Sequence, residues 1–147
     1  ISSLWYISHP YATLALSFLA LSDTETAYQK ALRGLEYAEK IPYQIEVGYA
    51  LDALAQVETA RQDWTSATEH FNQAIAIHQK SGNRHYAARA QRHFAEALLK
   101  QGERQQAIAL LHTALQTFQE LNLAHEIAAV QKLLDVSDGQ GQEEVFQ

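Results

Sequence analysis

The chain has 147 residues, 47% apolar and 19% charged, with a net charge of −6, a composition that suits one globular domain. Its 24 alanines and 18 leucines, against 5 valines, concentrate the apolar fraction in strong helix formers, so an all-α chain is expected. Few glycines and no cysteine exclude a glycine-rich phosphate loop, disulfides and thiolate chemistry. The same features favour a cytoplasmic setting, and the acidic balance argues against direct nucleic-acid binding.

Residues 1–22 carry no charged side chain, a run long enough to suggest a membrane span. His9, Pro10 and five serines interrupt it and no basic segment precedes it, so a buried helix is expected and no membrane partner. Residues 1–8 read as a lead-in at the edge of a truncated upstream region, with Trp5 and Tyr6 plugging an open end. A chain that opens on Ile1 and holds no methionine reads as a piece of a longer protein.

From residue 9 onward, self-similarity appears at a spacing of 40 residues. Pro42, Gly82 and Asn122 close long stretches rich in Ala, Leu, Gln and Glu, and weaker breaks recur at Ser22-Asp23, Gln62-Asp63 and Gly102-Glu103. Each period is therefore a helical hairpin, in units 9–42, 43–82 and 83–122, with helices expected at 9–21, 24–40, 43–61, 64–80, 84–101 and 104–121. A capping helix is expected at 124–136, followed by a disordered polar tail at 137–147. In the first helices Ile7, Leu14, Ala15 and Phe18 repeat as Val47, Leu54, Ala55 and Glu58, then as Ala87, Phe94, Ala95 and Leu98. In the second helices Ala67 and Ala74 repeat as Ala107 and Ala114, small residues where helices must cross closely.

The run Tyr11-x2-Leu14-Ala15-x2-Phe18, with Ala67-x3-Phe71 in the next unit, resembles the tetratricopeptide repeat over about residues 8–136. Ala stands for the usual Gly at 15, 55 and 95, Leu51 and Gln91 stand for the first aromatic, and the period is 40 instead of 34. That longer form resembles the arrays of bacterial signal-transduction ATPases and transcription regulators. The resemblance implies a right-handed α-solenoid of about three and a half repeats whose first helices line a concave groove, in the sensor or regulatory part of a larger protein. It implies a protein or peptide partner and neither a cofactor nor enzymatic activity.

Helical spacing places Leu16 and Leu19, then Tyr49, Asp52 and Gln56, then Arg89, Arg92 and Glu96 on the inner wall, with Lys132 extending its cationic end. Arg89 and Arg92 suit an acidic ligand, since a guanidinium grips a carboxylate through two parallel bonds. The plainer reading of the same residues is a solvated face with an Arg92–Glu96 pair at i,i+4. No His-x3-His spacing and no catalytic signature occurs, so neither metal nor catalysis is expected. An alternative function is self-association as a homodimer through the apolar first repeat.

Overall fold

The computed structural model describes the backbone of residues 2–145 and the side chains of residues 8–139. Among the described residues it is entirely helical: α1 (Ser2–Ala20), α2 (Thr24–Glu39), α3 (Gln44–Ala60), α4 (Trp64–Lys80), α5 (Arg84–Gln101), α6 (Arg104–Glu120) and α7 (Ala124–Val145). The inner boundaries lie within one residue of the expected ones.

The two outer helices run further than expected. Helix α1 starts at Ser2 and carries Pro10 inside it, so residues 2–8 belong to the first helix and not to a separate lead-in. Proline removes one N–H and crowds one carbonyl, a local fault that the turns on either side of it bridge. The side chains of Trp5, Tyr6 and Ile7 lie outside the described residues. Helix α7 passes the expected end at Val136; there the Ser137 hydroxyl donates to the Leu133 carbonyl at 2.8 Å, and Asp138 lies 3.8 Å from Arg104.

The chain divides into two compact units, Ile1–Asn83 and Arg84–Gln147. In the first, α1 pairs with α2 and α3 with α4, and α3 packs on both earlier helices. Its core gathers Ala15, Ala27, Ala31, Leu54 and Val57, with Phe18, Leu19, Tyr28 and Leu35 packed against them. Gly48 lets α3 approach α4 so closely that a Cβ there would lie 2.8 Å from the His78 ring. In the second unit α5 pairs with α6, and α7 packs on both. Phe118, Leu111 and Val130 are fully buried there, each worth roughly 1.5–3 kcal/mol of hydrophobic stabilisation. The four alanines expected at close crossings, Ala67, Ala74, Ala107 and Ala114, are all buried.

Five of the six turns repeat one device, and the α2–α3 turn at Pro42 does not. Ser22, Gln62, Gly82, Gly102 and Asn122 adopt left-handed backbone angles, φ between 56° and 88°. After each, the next N–H returns to a carbonyl five residues back, as from Asp63 to Glu58 at 2.9 Å and from Glu103 to Leu98 at 2.8 Å. Asp23 and Asp63 then cap the following helix by accepting from the Thr26 and Ser66 amides. Glu103 occupies the same place without a capping bond.

Candidate functional site

In the second unit, His85, Arg89, Arg92 and Glu96 fall at intervals of four, three and four along α5 and so share one face. The first turn of α7 presents Glu126 to that face, its side chain only 15% exposed. Its carboxylate lies 3.6 Å from Arg89 Nε, 3.5 Å from Arg92 Nε and 3.8 Å from His85 Nε2. Those distances are ion-pair contacts rather than hydrogen bonds: the Nε atoms of both arginines, Nε2 of His85 and Oε2 of Glu126 are buried and make none.

The two arginines that the sequence groups together differ in what they have left to offer. Arg92 donates to Glu96 at 2.8 Å and also contacts His93, so three sides of its guanidinium are engaged. Among the described residues Arg89 contacts Glu126 through its Nε edge and the Tyr86 ring at 5.7 Å, which leaves its terminal nitrogens for two parallel bonds. Lys132 is exposed, but six residues beyond Glu126 it is turned about 120° around α7, away from this face.

Reasoning along the sequence finds Arg89 and Arg92 and overlooks Glu126, which is distant in the chain and meets them only through the packing of α7. The repeat register holds a signal for it. Glu46, 80 residues earlier, makes the equivalent contact in the first unit, reaching His9 at 4.0 Å and accepting from the Ser8 hydroxyl at 3.4 Å.

In the first unit, Leu16, Leu19, Tyr49, Asp52 and Gln56 are half-buried. Leu19 packs against the core, so the apolar end of the expected wall is partly committed to folding. Tyr49 stands between two imidazoles, with ring centroids 5.3 Å from His9 and 5.2 Å from His78, both edge to face. Burial holds His78 below the usual histidine range.

Glu58 occupies the stripe position that holds Phe18 and Leu98 in the sister repeats, and it is buried at 3% exposure. Burial raises its carboxyl above the ordinary value, partly offset by His70, whose Nδ1 lies 2.8 Å away. Among the described residues no three His, Cys, Asp or Glu side chains gather as a metal site requires, and no helix is long and apolar enough to cross a membrane.

The sequence profile described as Tetratricopeptide repeat matches residues 46–120, half of the chain. No curated protein matches it.

Proposed function

The chain belongs to the tetratricopeptide repeat family, whose repeats mediate protein–protein interaction, and from that membership we propose that it binds an acidic segment of a partner protein on the α5 face carrying Arg89. The open guanidinium of Arg89 carries this reading: a half-exposed arginine, held in place by Glu126 and Tyr86, with its bidentate edge unoccupied. A rigid helix fixes that edge in advance, which lowers the ordering cost of binding. The module serves as the sensing or regulatory part of a larger cytoplasmic signalling or transcription-regulatory protein of bacterial type. Repeat hairpins of this kind are a non-catalytic scaffold type.

The test uses a fluorescein-labelled hexaglutamate peptide titrated against the full chain and read by anisotropy. Arg89→Ala weakens binding roughly 10- to 100-fold, as the loss of a charge-assisted bidentate contact requires. Arg92→Ala costs less, because that guanidinium already serves Glu96 and Glu126. Glu126→Gln, which releases both arginines from their internal carboxylate, tightens binding. An Arg89→Ala variant with unchanged affinity sinks the proposal.

A second reading rests on the first hairpin, where Leu14 is 40% and Leu32 38% exposed. Two such faces pair two chains and make a self-association module. Sedimentation over a concentration series with Leu14→Glu decides it: a dimer that persists in the variant excludes this surface.

A further inference from the structure

A cleft of about 410 Å³ opens between α2, α3 and α4 of the first unit, outside the α5 face described above. Its floor is aliphatic, formed by Leu35, Val47, Leu51, Ala76 and Ile77, and its polar groups are Glu39, His70 and Gln73. All three carry acceptor atoms. His70 Nδ1 lies 2.8 Å from the buried Glu58 carboxyl, and in the tautomer that donates Nδ1–H to it, Nε2 keeps a lone pair. Gln73 turns its amide nitrogen to Glu69 at 3.3 Å, which leaves its carbonyl oxygen. Glu39 is exposed at the rim and makes no ion pair among the described residues, while its neighbour Lys40 is held by Glu36 at 3.1 Å and lies over the Tyr37 ring.

The pair behind His70 is peculiar to the middle repeat. Glu58 stands where its sister repeats carry the partly buried Phe18 and the buried Leu98, and His70 stands where they carry Lys30 and Leu110. A buried carboxylate in place of a core hydrocarbon weakens folding, so its retention next to a cleft points to work at the cleft: it fixes the ring and the tautomer that His70 presents.

We propose that this cleft takes the side chain of a lysine from a partner protein, its methylenes on the aliphatic floor and its ammonium among His70, Gln73 and Glu39. The aliphatic floor suits the methylenes of a lysine, its ammonium brings three donors to a rim that carries the Glu39 carboxylate, and a carboxylate ligand faces repulsion from Glu39. The proposal is independent of the acidic segment assigned to Arg89, since no residue is shared.

A capped hexapeptide of alternating leucine and lysine, titrated into the full chain and followed by NMR at the amides of Leu35, Leu51 and Ile77, tests it. The expected result is saturable shifts at those amides, no shifts with the leucine–glutamate counterpart, and an affinity lower by about tenfold or more in Glu39→Lys. Glu39 is exposed, so that variant folds; His70→Phe, which keeps the ring volume and removes the acceptor, shows a similar loss. Equal shifts at those three amides with the glutamate peptide, or an unaffected Glu39→Lys, overturn the proposal. Hexylammonium binding as tightly as the peptide overturns the assignment to a protein partner in favour of a free amine.

Discussion

Of the glycines in the first unit, Gly48 is the most closely confined, with His78 against it. The His78 ring is 1% exposed, lies where a Cβ on Gly48 would stand, and hydrogen-bonds the Gly48 backbone. Gly48→Ala therefore forces α3 and α4 apart or displaces the ring, at a cost of roughly 1–3 kcal/mol. Thermal melts of a double-mutant cycle check this: His78→Ala relieves the clash, so the double variant melts above the sum of the two single losses. Additive losses mean that the glycine matters for another reason. The same contact shows where sequence reasoning stopped. Buried alanines such as Ala74 and Ala114 are legible because small residues recur at 40-residue spacing. Glu58 and Glu126 are visible in the repeat register, opposite Phe18 and Glu46, but their partners and the role of Gly48 lie on other helices, so only the packing reveals those.

At the scale of elements, the turns were the most legible part of the chain. Every break at Ser22, Gln62, Gly82, Gly102 and Asn122 became a left-handed residue closing a helix, because the chain must reverse there and few residues tolerate that conformation. Gln62 is neither glycine nor asparagine, yet it holds φ 63°. Gln62→Gly should raise the melting temperature by relieving a strain of about 0.5–1 kcal/mol. Gly102→Ala should lower it by a similar amount, and since nothing lies within 4 Å of the added methyl, that loss is conformational and not steric. A calorimetric scan of both variants measures the two signs together; a stabilised Gly102→Ala contradicts them. The outer helix ends were less legible. Pro10 and the glycine-bearing segment after Val136 read as breakers, but a breaker ends a helix only where the turn beyond it is better satisfied elsewhere.

For the molecule as a whole, acidity acts through buried and capping groups of opposite sign. Burial holds His78 below its ordinary 6.5, so the unfolded chain takes up that proton first as pH falls. The stability His78 contributes is full above about pH 6.5 and is lost as pH drops below it. Asp23 and Asp63 are held below 3.8 by the hydroxyls, and then the amides, of Thr26 and Ser66, so their contribution is present above that value and lost below it. Glu58 works in reverse. Its raised carboxyl is protonated first in the folded chain, so acidification from just above 4.5 favours folding. Melting temperatures measured from about pH 7.5 to about pH 5.5 should therefore fall, and the fall should shrink in His78→Gln. A profile that is flat in the parent, or equally steep in the variant, removes His78 from the account.

The closest packing joins helices that are neighbours in sequence: α1 with α2, α3 with α4 and α5 with α6. Each such pair closes a loop of only a few residues, so little chain entropy is lost before contacts form. Folding speed follows from this. Low contact order places the chain among fast folders, and any hairpin can nucleate without waiting for the others. A ribosome releasing the chain from its N-terminus thus exposes one complete hairpin after another, each able to bury its alanine seam before the next has emerged.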